Sequence, residues 1–470
     1  MVMSALKWCS VSLYDVIAAG KRLEAAVFNI EGRQARKAIE SCRYSSQSLY
    51  GENGMAAAYV CGRFKRIWLE KSDLPIYQPS TIMDIYPKPD GYLSHITNTD
   101  IDALRVKKGQ ILITCSGTIG KISFVSNTLN NQIFSHDLIR IDCKNPSEAG
   151  FIYAYLRSTI GNTILQTNKY GAVIQHIEPE HLADIPVPNP PEEIKWHIND
   201  LILRSFELRD KSNNLIDKAT ELFVSALNLP PIDEIETKRF ANTSDFDNFS
   251  VKFSKIDNRL DASYHVPIVE AITKHFRENA AEVTTVGDRR VSKDIILPGR
   301  FKRVYVEEGY GRVFFGGKQL FELDPSGKKY LSLARHDVRI KQLELKENMS
   351  LITCSGTIGK VALTPKHWEG WAANQHIIRV VPADENLAGY LSIFLSSDYG
   401  YPLITRFTYG SVVDEIDATH VSQIPFPFLR DKEIQTEINR LALEANKLRY
   451  EAYLLEQQAI KSIETDVIYA

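Results

Sequence analysis

The sequence predicts an α+β protein with two tandem homologous domains, each followed by a long helix, the two helices pairing as an antiparallel coiled-coil spacer. Three observations predict this fold: an internal repeat, short apolar runs typical of strands inside each copy, and an unbroken heptad pattern after each copy. The repeat spans about half of the chain, so it indicates duplicated domains and not a solenoid. We expect the first domain at residues 1–190, its helix at 191–228, the second domain at 229–430 and its helix at 431–470.

The repeat is centred on the segment LITCSGTIGK, which occupies residues 112–121 and recurs unchanged at 351–360. Other matched segments keep the same order at offsets of 237 to 239 residues: 22–25 with 259–262, 62–68 with 299–305, 137–140 with 376–379, 170–177 with 409–416, and 185–188 with 424–427. In contrast, residues 72–91 and 308–329 diverge. Equal frameworks with unequal insertions indicate one scaffold that carries two different recognition surfaces, because loops usually carry function.

Short patterns inside the copies predict their secondary structure. Apolar runs at 110–114, 121–125 and 136–141 predict strands, and SGTIG between the first two predicts a tight turn. Apolar patches at 150–165 and 387–396 predict helices. Each domain is therefore expected to be α+β.

The segment after each repeat predicts a long helix, because its apolar or small residues alternate at spacings of four and three, which is a heptad seam. The seam consists of Ile194, Ile198, Leu201, Ser205, Leu208, Ser212, Leu215, Ala219, Leu222 and Ala226 in the first helix, and of Ile434, Ile438, Leu441, Ala445, Leu448, Ala452, Leu455 and Ala459 in the second. Large residues alternate with small ones, so two such helices can approach closely, and a helix of about 36 residues spans about 54 Å. Ordinary bundle packing also uses such seams, but the matching phase after both repeats favours a rigid spacer.

Composition limits the classes of function. A formal net charge of −2 argues against non-specific coating of nucleic acid but allows a local basic face. The six cysteines lack zinc-type spacing, and no apolar run of about 18 residues predicts a membrane span. We expect a cytoplasmic protein that binds neither metal nor membrane. The apolar residues Trp196, Leu203, Phe206 and Phe223 lie off the seam, so we expect them to face outward and to make the isolated chain poorly soluble.

Basic, hydroxyl and aromatic residues at matching positions of the repeats are candidate nucleic-acid contacts. They are Arg63, Lys65 and Arg66 with Arg300, Lys302 and Arg303 in the GRFKR segments, Thr118 and Lys121 with Thr357 and Lys360 in the turns, and Lys169, Tyr170 and Tyr409 in a later segment. Basic residues position a phosphate backbone, and turn amides beside a lysine form an anion-binding concavity. A solvated strand face, a plain turn and packed core tyrosines are the alternative interpretations. A P-loop is excluded, because two residues and not four separate the glycines of the turn.

Together these segments resemble the specificity (S) subunits of type I restriction-modification enzymes. The resemblance is carried by the Ser-Gly-x-Ile-Gly turns at 116–120 and 355–359, and by Arg-Leu-Asp at 259–261, where the first copy has Glu24 for Asp. Proline-bounded segments that lead into the helices, IPVPNPPEEI and IPFPFLRDKEI, also fit. The resemblance covers nearly the whole chain.

The resemblance implies a DNA-recognition subunit without catalytic residues. Each repeat would be a target-recognition domain for one half of a split double-stranded DNA target, and the helices would fix the gap between the halves. Two DNA adenine methyltransferase subunits would dock on the helices, and a motor-nuclease restriction subunit can join. No cofactor is expected on this chain, since S-adenosylmethionine would bind to the methyltransferase partner.

Two other functions remain open from the residues alone. A fused DNA methyltransferase or nuclease with built-in recognition domains needs a glycine-rich S-adenosylmethionine loop, an Asn-Pro-Pro-aromatic motif or a nuclease carboxylate cluster. Here Asn189, Pro190 and Pro191 are followed by Glu192 and not by an aromatic residue. A scaffold that binds protein and not DNA would share the fold. Salt-dependent, sequence-selective DNA binding separates a recognition subunit from such a scaffold.

Overall fold

The computed structural model describes residues 10–18, 28–167, 175–235, 249–256 and 259–470. Within these ranges the chain forms two compact units. The first unit comprises the described residues up to Asp210 together with Glu451–Ala470, and the second unit comprises the described residues of Lys211–Tyr450. The division passes through both long helices, so each unit contains one repeat and a segment of each helix.

The first unit combines short strands with short helices. Its strands are β1 (Ser46–Ser48), β2 (Ala56–Tyr59), β3 (Trp68–Leu69), β4 (Pro75–Tyr77), β5 (Gly91–Leu93), β6 (Ile111–Thr114), β7 (Ile122–Phe124), β8 (Ile133–Phe134), β9 (Leu138–Cys143) and β10 (Pro186–Pro188). Its helices are α1 (Leu13–Ala18), α2 (Ile30–Glu40), α3 (Ala149–Arg157) and α4 (Thr159–Thr167), followed by the long α5 (Glu192–Ala226) that continues into the second unit. The three predicted strands are confirmed as β6, β7 and β9.

The predicted helical patch at 150–165 is two helices and not one. Helix α3 ends at Arg157, and the next residue, Ser158, has an extended backbone at φ −64° and ψ 157°. The Ser158 hydroxyl accepts a hydrogen bond from the Gly161 amide at 3.1 Å, as the N-cap of a helix does, so it starts α4 in a new direction. Gly161 allows this sharp junction, because a Cβ there would lie 2.0 Å from the Tyr155 carbonyl oxygen.

The second unit repeats this order of elements. Its strands are β11 (Glu282–Thr285), β12 (Ser292–Ile296), β13 (Tyr305–Val306), β14 (Gly311–Phe315), β15 (Lys329–Ser332), β16 (Ser350–Thr353), β17 (Val361–Leu363), β18 (Ala372–Ala373), β19 (Ile377–Pro382) and β20 (Pro425–Phe428). Its helices are α6 (Pro267–Asn279), α7 (Leu333–Leu343), α8 (Glu385–Ser396), α9 (Gly400–Thr405) and α10 (Ala418–Ser422), followed by the long α11 (Lys432–Ser462) and a π-helical turn at Ile463–Ile468. The predicted helix at 387–396 is confirmed as part of α8.

The sheets of the two units correspond strand by strand. In the first unit the strand orders are β2-β9-β6-β7, β3-β5-β4-β8 and β1-β10. In the second unit they are β12-β19-β16-β17, β13-β15-β14-β18 and β11-β20, which is the same arrangement with every strand number raised by ten. The divergent segments at 72–91 and 308–329 thus contribute equivalent strands, each to the small sheet of its own unit. The predicted duplication is confirmed by topology.

Segments of both long helices complete the core of each unit. In the first unit Phe206 of α5 shares a buried cluster with Ala459 of α11, and in the second unit Phe223 shares one with Ile438. The earlier part of α5 is thus joined to the later part of α11, and the later part of α5 to the earlier part of α11. This is the order of an antiparallel pair, as the heptads predict. The residues of the seam are buried or half-buried.

Two of the residues that we expected to face outward do not. Phe206 and Phe223 are buried, and only Trp196 and Leu203 of that set are exposed. Phe206 packs against the rings of Phe124 and Tyr153, and Phe223 packs against Tyr390 and Phe394. The helices therefore bury a stripe wider than the seam, because they face the repeats as well as each other. Within the described ranges, none of the helices has the length and apolar character that a membrane span needs.

A buried ionic cluster joins α11 to the first unit. Glu456, which is 1% exposed, accepts hydrogen bonds from the Tyr153 hydroxyl at 2.6 Å and from Nη2 of Arg209 at 2.5 Å. Nε of Arg157 lies 3.4 Å from the same carboxylate. Burial alone would raise the pKa of Glu456, but the two arginines and the hydrogen bonds lower it from an ordinary 4.5 to about 2. The carboxylate is therefore charged and fully partnered at neutral pH.

We expect Glu456→Gln to lower the free energy of unfolding by about 3 kcal/mol. The substitution removes the buried carboxylate charge that pairs with the guanidinium groups of Arg157 and Arg209. The native protein should also lose stability as the pH falls from 4.5 towards 2, since the folded-state pKa of Glu456 lies below its unfolded value. The variant should lack this part of the acid sensitivity. Urea unfolding at neutral pH and an acid titration, both followed by circular dichroism, measure the two effects.

The matched control is Glu437→Gln on the same helix. Glu437 pairs with Arg440 on the helix surface, with 2.7 Å between Oε2 and Nε, so solvent screens the interaction and the urea midpoint should hardly change. Equal shifts in the two variants would contradict the role assigned to Glu456.

Candidate nucleic-acid interface

The SGTIG segment forms the same tight turn in both units. Gly117 and Gly120 have φ values of +71° and +84°, and Gly356 and Gly359 have +75° and +84°, a backbone region that favours glycine. In the first unit the Thr114 hydroxyl closes the turn, because it donates to the Thr118 carbonyl at 2.6 Å and accepts from the Lys121 amide at 3.1 Å. The turn therefore has one fixed shape and presents its tip to solvent.

The candidate residues of the turn differ in exposure. Thr118 and Thr357 are exposed at the tips. Lys121 is half-buried, whereas Lys360 is exposed and its Nζ lies 5.6 Å from the centre of the Phe321 ring. Each turn therefore presents one exposed hydroxyl, and the turn of the second unit also has an exposed lysine beside it.

A second chain segment is bonded to each turn. In the first unit the Gly117 amide donates to the Gln175 carbonyl at 3.2 Å, and the Ile177 amide donates to Cys115 at 3.0 Å. The second unit repeats both hydrogen bonds with an equivalent set of residues: Gly356 to Asp414 at 2.9 Å and Ile416 to Cys354 at 3.0 Å. These segments lie about 60 residues after the turns in the chain, and no local pattern indicates that they pair.

The third basic residue of each GRFKR segment bonds to a side chain of its own unit, so it holds the segment in place. In the first unit Nη2 of Arg66 donates to the Ser135 hydroxyl at 3.0 Å and lies 3.9 Å from the carboxylate of Asp137. In the second unit Nη2 of Arg303 donates to the side-chain oxygen of Gln375 at 2.9 Å. Both arginines thereby fix the GRFKR segment to the loop that precedes β9 or β19.

The first two basic residues of each segment are exposed: Arg63 and Lys65 in the first unit, and Arg300 and Lys302 in the second. These side chains are available to a partner at the surface, with Arg300 also held by an ion pair within the unit.

Three predicted segments meet at Glu415 in the second unit. Oε1 of Glu415 lies 2.9 Å from Nη2 of Arg300 and 3.5 Å from the hydroxyl of Ser355 in the turn. The backbone of Glu415 also pairs with that of Tyr409, through hydrogen bonds of 3.0 and 2.8 Å. The GRFKR segment, the turn and the Tyr409 segment therefore form one cluster. In the first unit His176 occupies the position of Glu415 and bridges to Ser116.

Arginines set the local charge of both clusters. Burial lowers the pKa of His136, and Arg66 and Arg63 lower it further against an opposing effect of Asp137. Burial likewise lowers the pKa of His376, and Arg303 and Arg300 add to this. Both histidines are therefore neutral at pH 7, and the positive charge beside each turn comes from the arginines and lysines.

A buried arginine beneath each cluster was not predicted. Arg140 and Arg379 are 0% exposed. The guanidinium nitrogens donate to carbonyl oxygens, those of Leu104, Phe134, Ser135 and Leu138 for Arg140, and those of Leu343, Ala373, Asn374 and Ile377 for Arg379. Burial lowers the pKa of both, that of Arg379 to about 9, so both remain charged at neutral pH.

The acceptors of each buried arginine include the loop that tethers Arg66 or Arg303. These two arginines therefore hold the loop under the basic segment in place. The available signal was an arginine inside an otherwise apolar strand, repeated at the same position of both copies.

Some predicted residues cannot be placed. Lys169 and Tyr170 lie outside the described residues, as does the segment at 22–25. Tyr409 is described and is exposed, so it is not a packed core tyrosine. Among the described residues, no group of three His, Cys, Asp or Glu side chains could hold a metal ion. The clusters present exposed hydroxyl groups on the turns and exposed guanidinium and ammonium groups on the GRFKR segments, which suits hydrogen bonding to phosphates and base edges.

Several solved structures are similar to this chain. The S subunit of a type I restriction-modification system from M. genitalium has 11% sequence identity and a TM-score of 0.36, with 90% of this chain and 96% of that chain covered. The HsdS subunit from Thermoanaerobacter tengcongensis has 15% identity and a TM-score of 0.27, with 88% and 97% covered. A structure described by complex assembly and conformational transition of the type I R-M system has 16% identity and a TM-score of 0.28, with 88% and 98% covered. A comparison with curated proteins finds no match.

The family model decides the assignment. The type I restriction modification DNA specificity domain matches residues 70–218 and 335–441, which together make up more than half of the chain. One matched segment lies in each repeat, and each includes an SGTIG turn with the strands beside it. The chain therefore belongs to the family of type I restriction-modification DNA specificity proteins.

Proposed function

We propose that this chain is a non-catalytic DNA-recognition subunit whose two units each read one half of a split double-stranded target. The observation that carries the proposal is the duplicated cluster of an SGTIG turn and a tethered GRFKR segment, one in each unit. Exposed Lys and Arg side chains contact phosphates and position a protein on DNA, whereas polar groups on the adjoining turns reach base edges.

The two clusters differ in their polar residues at matching positions. The loop before β9 carries His136 and Asp137, and the loop before β19 carries Gln375 and His376 at the matching positions. The segment bonded to the turn carries His176 in the first unit and Glu415 in the second. Donors and acceptors are therefore arranged differently on one scaffold, which supports the proposal that the two half-targets have different sequences.

The proposed partners are two DNA adenine methyltransferase subunits, with a motor-nuclease restriction subunit as a further member of the complex. S-adenosylmethionine would bind to the methyltransferase. Exposed apolar side chains on the long helices support a docking role: Trp196 is 53% exposed, and Leu203 lies seven residues later on the same face. Leu454 is a further exposed apolar residue on α11.

We expect Lys65→Ala and Lys302→Ala each to weaken DNA binding by the assembled complex to a similar degree for all sequences. Each variant should lower the slope of log affinity against log salt by about 1, because one phosphate contact is lost. Titration of fluorescent DNA at several salt concentrations measures this slope. The control is Lys274→Ala, since Lys274 is an exposed lysine on α6 that pairs with Glu278. Unchanged slopes for both test variants, together with no preferred DNA sequence for the native complex, would refute the proposed function.

We expect the chain to co-purify with an adenine methyltransferase at about two copies per chain. Trp196→Ala should weaken that association by roughly tenfold or more, because exposed tryptophans that become buried dominate many interfaces. Mass spectrometry of the complex gives the ratio, and calorimetry gives the affinity. Tyr310→Ala removes another exposed aromatic side chain, away from the helices, and should leave the association intact. Equal effects of the two substitutions would count against docking at Trp196.

A further inference from the structure

The second unit has an apolar tip on the hairpin formed by residues 409–415. The hairpin is closed by the backbone hydrogen bonds between Tyr409 and Glu415. At its tip Val412 is 93% exposed and Val413 is 50% exposed. Two neighbouring exposed valines offer apolar surface to a ligand, and burial of apolar surface is a main source of binding free energy.

The hairpin is held in a defined position. Phe407 before it and Ile416 after it belong to the core of the second unit. Gly410 has φ +118°, and a Cβ there would lie 2.2 Å from the Val413 carbonyl oxygen. The backbone at Val413 therefore folds back closely onto Gly410. The hydrogen bond from the Gly356 amide to Asp414 joins the tip to the SGTIG turn. The valines are therefore presented on a rigid support.

Charged groups of both signs and hydroxyl groups lie near the tip, and the hairpin itself carries the acidic residues Asp414 and Glu415. Arg300 is paired with Glu415 at the base of the hairpin, Thr357 is exposed in the turn to which the hairpin is bonded, and Lys360 is exposed beside that turn. The tip is joined to a turn that is a candidate DNA contact, so an apolar group of DNA is a suitable partner for the two valines. DNA has one such group on a base edge in the major groove, the C5-methyl of thymine, and apolar side chains recognise it by contact.

A wedge inserted between base pairs is the other way in which DNA-binding proteins use an apolar tip. The side chains that act as wedges are Phe, Leu, Ile, Met and Pro, most of which reach further than the branched, short side chain of valine. Contact with a methyl group needs no such reach, and this favours methyl recognition over unstacking.

We propose that Val412 and Val413 read thymine by contact with its C5-methyl group in the half-target of the second unit. This inference rests on the proposed function, namely that the second unit reads one half of a split DNA sequence. Contact with the methyl group would favour A·T pairs, in addition to the polar contacts proposed for Arg300, Thr357 and Lys360.

The test compares the native complex with the complex of the double variant Val412→Ala and Val413→Ala. Each thymine of the target is replaced in turn by deoxyuridine, which lacks only the methyl group. For the native complex, at least one replacement in the half-target of the second unit should lower affinity by about fourfold, the value expected for one buried methyl group. The double variant should bind the ordinary target more weakly and lose nothing further with deoxyuridine at that position.

Two controls make the comparison specific. Deoxyuridine in the other half-target should have the same effect on both complexes, because the first unit is unchanged. Val338→Ala makes the same truncation at another exposed valine of the second unit, on α7, and should retain the native response to deoxyuridine.

The outcomes separate this inference from the function on which it rests. If the native complex has no preferred DNA sequence, the proposed function fails. If the native complex is sequence-specific but the effect of deoxyuridine is absent, or is the same in the double variant, only the methyl-reading role is overturned. A second half-target without thymine would also overturn it, as would fluorescence of 2-aminopurine showing that the tip unstacks a base step.

Discussion

The packing of both long helices into each unit is the interaction on which the rest of the structure depends. The core of the first unit includes Ile198 and Phe206 from α5 together with Ala459 from α11 and Ile463 from the π-helical turn that follows it. The core of the second unit includes Phe223 and Ile438 from the other parts of the same helices. Because these residues are buried among the strands and short helices, a repeat without its two helix segments would expose a large apolar surface. Ile119 of one turn and Ile358 of the other belong to these cores, which therefore position the turns.

Equivalent positions of the two helices make equivalent contacts with different chemistry. Asn199 accepts a hydrogen bond from the Gly150 amide at 2.8 Å, and Asn439 accepts one from the Gly389 amide at 2.7 Å. In contrast, Asp210 of α5 accepts hydrogen bonds from the loop at 126–128, whereas α11 places the ring of Tyr450 against His367 in the matching loop. The duplicated chain has kept its backbone geometry where space is tight and has changed where several solutions give similar stability.

The features that the sequence predicted are local or periodic. The repeat, the SGTIG turn and the heptad helices could be recognised because each depends on residues that are close together in the chain. Each unit also has a small sheet to which its divergent segment contributes, 72–91 in the first unit and 308–329 in the second. These sheets could not be predicted, since their strands are short and pair with a distant strand, as β4 pairs with β8. Glu415 was missed for a similar reason: it gains its role only when the pairing of two remote segments brings it to Arg300. Phe206 and Phe223 were assigned to the wrong face because a heptad describes one contact surface, and these helices have two.

The shared cores have a consequence for synthesis on the ribosome. The first unit needs Ala459, Ile463 and Val467, which are synthesised only after the whole second repeat. Its earlier strands and helices are therefore synthesised long before the helix that completes their core, and contacts of such high sequence separation form slowly. During this interval the unfinished unit exposes apolar surface and unpaired strand edges, the features that chaperones bind. A prematurely terminated chain would leave the first reader incomplete even though all of its strands are present. Assembly of a functional pair of readers is in this way coupled to synthesis of the segment Glu451–Ala470.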